Sequence, residues 1–146
     1  MSYNPQNPNG QGTMANSAPV VIASNQSAVP AAASQETSAI YSGTTSLIPK
    51  FAVITASASG ATAIVAAVAS KKIRVISYVV VANAAVNIKF QSNATDETGL
   101  LYLAANGGVS GAYAPTGHFE TASGEALNIN LSAAVAVGGH VTYVEV

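Results

Sequence analysis

The stretch KKIRVISYVVV (residues 71–81), followed after four residues by VNIKFQ (86–91), decides the fold class. The first segment is β-branched and almost continuously apolar, the pattern of a central strand covered on both faces. The second alternates, with Val86, Ile88 and Phe90 on one side and Asn87, Lys89 and Gln91 on the other. That period of two marks a strand with one buried face. ANAA (82–85) between them fits a tight hairpin. The pair therefore predicts strands, and a core that includes Ile73, Val75, Val79, Val86, Ile88 and Phe90.

Downstream the same pattern continues. SNATDETG (92–99) is a polar loop, LLYLAA (100–105) a further strand, and NGGVSG a turn-rich stretch. In ALNINLS (126–132) Leu127, Ile129 and Leu131 alternate with Asn128 and Asn130, which adds three residues to the predicted core. HVTYVEV (140–146) reads as one more strand. Upstream, FAVITASASGATAIVAAVAS (51–70) is uncharged and is followed by KKIR, which matches the length and flank of a membrane helix. Thr55, Ser57, Ser59, Gly60, Thr62 and Ser70 interrupt it, and SASGA has the chemistry of a turn. Two strands around a turn fit better than one span, so no membrane partner is expected. About eight strands with no helical period predict an all-β protein. The expected architecture is an antiparallel β-sandwich, with a jelly roll as its wiring.

The N-terminal third differs. Residues 1–15 are rich in Asn, Pro, Gln and Gly, which cannot build a packed core. Pro19 and Pro30 then bracket a short apolar strand at 19–23 that contains Val20, Val21 and Ile22. From Gln35 to Lys50 the chain is again rich in Ser and Thr, with an isolated Ile40–Tyr41 pair. The sequence thus predicts an extended, largely irregular arm over 1–50 and a sandwich over 51–146. One short strand cannot hold itself in water, so Pro19, Val20, Val21 and Ile22 are candidate partner-binding residues. No basic stretch followed by an apolar run opens the chain, so no export signal is expected.

Composition narrows the function. Of 146 residues 49% are hydrophobic and only 8% charged, and the net charge is −1. Nucleic-acid binders concentrate Lys and Arg on one face. Here the five basic residues cluster only at Lys71, Lys72 and Arg74, so no nucleic-acid partner is expected. So little charge is unusual for a free small domain and points to a surface covered in an assembly. There is no cysteine, hence no disulfide framework and no thiolate metal site.

Catalytic candidates are few. His118 and Glu120 in GHFETA would share one face of an extended segment and could act as a base with its orienter. No nucleophile motif accompanies them, so a loop pair beside Phe119 is the plainer expectation. GGVSG lacks the spacing of a nucleophile elbow. His140 has no companion ligands nearby and reads as an edge or interface histidine. Asp96 and Glu97 match no calcium-loop pattern and read as a solvated turn. The aromatic residues Tyr102, Tyr113 and Phe119 could serve a sugar site or equally a core or a subunit interface. No catalytic residues, metal or cofactor are expected, and the chain reads as non-enzymatic.

Two segments carry a resemblance. MANSAPVVIASNQSAVP (14–30) resembles the opening of a group of tailed-bacteriophage virion proteins. KKIRVISYVVVANAAVNIKFQS, followed by GEALNINLSAAVAVGGHVTYVEV, resembles the compact β domain of phage structural proteins of the decoration (cement) or head-fibre kind. The resemblance implies a homotrimer on the outer surface of the phage head, made in the host cytoplasm and bound to the major capsid protein or other virion subunits. On this view the arm adds its strand to a neighbour's exposed sheet edge. A receptor- or glycan-binding module of a head or tail fibre is the alternative.

Overall fold

A computed structural model describes residues 40–146. The strand expected at Pro19, Val20, Val21 and Ile22 lies outside the described residues. Within them the chain runs through β1 (Ile40–Ser42), β2 (Thr45–Leu47), β3 (Lys50–Ala56), β4 (Gly60–Val65), β5 (Ile73–Ala82) and β6 (Val86–Ser92). It continues through β7 (Thr95–Asp96), β8 (Leu101–Leu103), β9 (Gly108–Gly111), β10 (Phe119–Glu120), β11 (Leu127–Leu131) and β12 (Val137–Glu145). There is no helix among the described residues. The protein is an all-β antiparallel sandwich. One sheet has the order β3-β12-β5, with β10 and β9 sharing the far edge of β5. The other has the order β4-β11-β6, with β7 and β8 sharing the far edge of β6.

The core lies between the sheets. Ile54, Ile73, Val75, Val80 and Val141 from the first meet Ile88, Phe90, Leu127, Ile129 and Leu131 from the second, all buried, and Val86 joins them. An aromatic cluster spans the two layers. Phe90 of β6 stands 5.2 Å from Tyr78 of β5 in an edge-on arrangement and 5.0 Å from Phe119 of β10. Such contacts add about 0.5–1.5 kcal/mol each to the burial itself.

The link between β5 and β6 is not the tight hairpin that ANAA suggests. Both hydrogen-bonding edges of β5 are taken, by β12 on one side and by β9 and β10 on the other. Residues 83–85 therefore cross from one sheet to the other, and the Asn83 amide is held by the Ala136 carbonyl at 3.0 Å. Residues 57–59 make the same kind of crossing between β3 and β4.

A bulge in β5 overturns one core assignment. Thr142 of β12 pairs with Ser77, but the next residue, Tyr143, pairs with Val75, so Ile76 is an extra residue. One inserted residue inverts the facing of everything beyond it. Ile73 and Val75 point inward before the bulge, whereas Val80 and Ala82 point inward after it. Val79, expected in the core on strict alternation, is instead 36% exposed on the outer face. The irregular backbone is satisfied locally, since the Ile76 carbonyl accepts from Ala114 N–H at 2.8 Å and the Val75 carbonyl from His118 N–H at 2.8 Å.

The bulge also creates a second small core. Ile76 and Val144 face outward from the β3-β12-β5 sheet yet are fully buried, because Ile40 and Leu47 of the β1–β2 hairpin cover them. These hairpin residues fall in the stretch that the sequence assigns to the arm. They belong to the compact unit that contains the sandwich. Gly43, with φ of +62°, makes the turn between β1 and β2.

Two outcomes follow for stability. In urea unfolding, Val80→Ala should cost about 2 kcal/mol and Phe90→Ala about 3–5 kcal/mol. Val79→Ala should stay within about 0.5 kcal/mol; equal losses at 79 and 80 would contradict the bulge. Removing residues 1–35 should leave the melting temperature of the β unit near that of the full chain. Removing 1–49 uncovers Ile76 and Val144 and should lower stability by about 2 kcal/mol or more relative to the shorter deletion.

Candidate assembly surface

Strand β3 places its residues against the usual logic of a sandwich. Ala52, Ile54 and Ala56 turn inward, while Phe51, Val53 and Thr55 turn outward. Two large apolar side chains are thus on the wet side: Phe51 is 77% exposed and Val53 73%. Register fixes the reason. Ile54 lies opposite Gly139 of β12, where a side chain would overlap the Val79 carbonyl oxygen. Gly139, with φ of +156°, leaves the space above it to its neighbours, and Ile54 is fully buried there.

The outward side chains form rows across the sheet. Phe51 stands beside Thr142 and then Ser77. Val53 stands beside His140, Val79 and Ser110. Thr55 stands beside Gly138, Val81 and Gly108. Val81 is 46% exposed. None of these row positions carries an acid, a lysine or an arginine, and His140 is their one titratable group. At the Thr55 end lies a groove of about 510 Å³, lined by Val81, Asn83, Asn106 and Gly138 among others. The near-continuous apolarity of 71–81 predicts cover on both faces. The hairpin supplies it over Ile76, and among the described residues nothing supplies it over Val79 and Val81.

Ion pairs join seven of the charged side chains among the described residues. Lys50 meets Glu145 at 2.6 Å at the start of β3, and that hydrogen bond holds the Lys50 ammonium above its usual pKa. Lys72 and Arg74 both meet Glu120, at 2.7 and 2.9 Å. Hydrogen bonding from Lys72, reinforced by Arg74, holds the Glu120 carboxyl below its usual value despite partial burial. On the other sheet Lys89 meets Asp96 at 2.8 Å. Its hydrogen bond, with a second from Gln91, lowers the Asp96 pKa. Burial raises that of Glu97.

The chemistry-bearing residues singled out in the sequence do not converge. The His118 ring nitrogen Nε2 bonds the Ala112 carbonyl at 2.7 Å and the ring packs on Tyr78, while Glu120 is occupied by Lys72 and Arg74. His140 sits mid-sheet on β12, between Val53 and Val79, and not at an edge. Among the described residues no three of His, Asp and Glu gather as metal ligands. Tyr102 and Tyr113 are exposed, whereas Phe119 packs against the core. The sequence missed the outward face itself. Its signal was the spacing of Phe51 and Val53 around Ile54, which alternation alone leaves free to face either way.

Comparison with protein-family models, with curated proteins and with solved structures finds no match to this chain.

The Glu120 pairs give a pH signature. Its folded pKa lies below the ordinary 4.5, so the stabilisation is present above that value and fades as pH falls through the folded pKa. In unfolding measured across pH 7 to 3, the stability gap between the natural chain and Glu120→Gln should be largest above pH 4.5 and should close on acidification. A gap that widens in acid would reverse the sign of the shift.

Proposed function

We propose that the protein is a non-enzymatic structural subunit of a tailed-bacteriophage virion, a capsid decoration (cement) protein. It binds the outer surface of the assembled head as a homotrimer, contacts the major capsid protein or its neighbours, and is made in the host cytoplasm. Neither nucleic acid nor membrane is a partner. The observation that carries the proposal is the uncharged outer face on which Phe51 and Val53 stand exposed beside Val79 and Val81. Contiguous exposed apolar patches of this kind on small proteins mark interaction sites. A surface built for docking needs apolar area and few ions to desolvate, and this face has both. Trimeric symmetry would multiply each weak contact by avidity.

The strand order supports a jelly-roll wiring. From β3 to β6 the chain alternates between the sheets, then later returns β11 beside β4 and β12 beside β3. Two interleaved Greek keys have this pattern. Such a sandwich leaves one whole sheet face available for neighbours while its core holds the subunit rigid.

Tyr102 favours a second reading, that of a fibre module recognising a glycan. It is 76% exposed, and it pairs with Asn87 at the end of a sheet face that also carries Lys89, Asn128 and Asn130. The two roles differ in stoichiometry. Quantitative mass spectrometry of purified particles should give a copy number comparable with that of the capsid subunits. A small fraction of that number would favour the fibre. Added to particles lacking the protein, full chains carrying Phe51→Asp or Val53→Asp should keep their melting temperature but bind with at least about tenfold lower occupancy, because a buried unpaired carboxylate is strongly disfavoured. Undiminished occupancy would remove this face from the attachment.

A further inference from the structure

The free edge of β3 is the longest regular sheet edge among the described residues. Its seven residues pair with β12 in unbroken register, and no strand among the described residues pairs with its other side. The corresponding edge of the second sheet, β4, is interrupted by a register shift against β11. The far edges of β5 and β6 are shared by short strands of two to four residues. Natural sheet edges are blunted by prolines, bulges or charges. Within β3 the one such device is Lys50 at its first position, and Glu145 holds that ammonium. An unprotected edge flanked by Phe51 and Val53 is a template for another strand.

The chain itself contains a fitting strand. Residues 1–35 include no charged side chain, and PVVIA at 19–23 is their most apolar stretch. Pro19 opens that stretch, at the strand position where a missing N–H is tolerated. Ile40, where the described residues begin, is fixed over Ile76 and Val144 on the same outer side to which β3 turns Phe51 and Val53. The stretch 23–39, fully extended, spans at most about 60 Å, enough to reach an adjoining subunit. An uncharged strand joining the uncharged stretch 51–56 of this edge desolvates no ions.

We infer that the free edge of β3 receives residues 19–23 of a second copy of this chain, with Val20 and Ile22 on the outer side beside Phe51 and Val53. The inference rests on the assembly reading above and names the partner of its exposed sheet. Strand addition supplies main-chain hydrogen bonds for affinity, and the alternating side chains fix the facing.

The absence of native cysteine permits a direct test. Full-length chains carrying Val20→Cys, Val21→Cys or Ile22→Cys are each mixed with full-length Val53→Cys chains, oxidised mildly and mapped by mass spectrometry. Disulfides need Cα separations of about 4.4–6.8 Å. The expected result is a covalent dimer joining position 20 or 22 to 53, at least tenfold more abundant than that joining 21 to 53. No dimer, or equal yields at 20 and 21, overturns the docking, and a dimer at 21 alone overturns the facing. Double variants carrying both cysteines in one chain decide the donor. Disulfides formed only within a chain would show that the strand folds back on its own domain, contrary to the proposal. The natural full-length chain is assayed in parallel for binding to particles that lack the protein. No binding by that chain, with the 20–53 dimer found in the cysteine variants, would count against the cement role and leave the strand exchange standing.

Discussion

The arrangement depends on one extra residue. Ile76 interrupts the pairing of β5 with β12 and reverses which side chains of β5 face the core. Without it, Val79 and Val81 would enter the core and Tyr78 would leave the aromatic cluster it forms with Phe90 and Phe119. Because β5 is the central strand of its sheet, a shift there moves every neighbour. The bulge divides its outer surface into two zones. One is sealed by the β1–β2 hairpin over Ile76 and Val144; the other is left bare around Val79 and Val81.

This division links core packing to the character of the outer faces. A sandwich buries one face of each sheet, and its outer faces are ordinarily polar. The β4-β11-β6 sheet follows the rule, with Asn87, Lys89, Asn128 and Asn130 outward. The β3-β12-β5 sheet breaks it, with Phe51, Val53, Val79 and Val81 outward. The same chain thus builds one polar outer face and one apolar outer face, and both rest on a single core.

Much of the fold was legible from local pattern. Clean alternation in 86–91 and 127–131 gives the facing of β6 and β11, because each pairs in register over its length on the side they share. Where alternation is broken by an unannounced insertion, as at Ile76, no local signal reveals it, since Val75, Ile76 and the valines at 79–81 are chemically alike. The hairpin at 40–47 was equally hard to see. Its Ser- and Thr-rich composition is that of a tether, and its fold comes from two apolar residues, Ile40 and Leu47, meeting partners a long way off in the chain. The outward apolar residues were hidden for a related reason. Phe51, Val53 and Ile54 are all good core residues, and only the register with Gly139 decides which of them turns inward.

The position of β12 has a kinetic consequence. β3 and β5 never pair with each other; β12 lies between them and is hydrogen-bonded to both. During synthesis β3 and β5 are therefore made long before the strand that joins them. That sheet can close only after the chain through Glu145 has left the ribosome, and its contacts bridge long loops whose closure slows folding. The other sheet is complete in sequence by Leu131, so it can assemble first and offer its apolar face as a template. Nascent chains would then dwell in a half-built state with β3 unpaired on both edges and β5 open on the edge that β12 takes, the interval in which chaperone protection matters most for this protein.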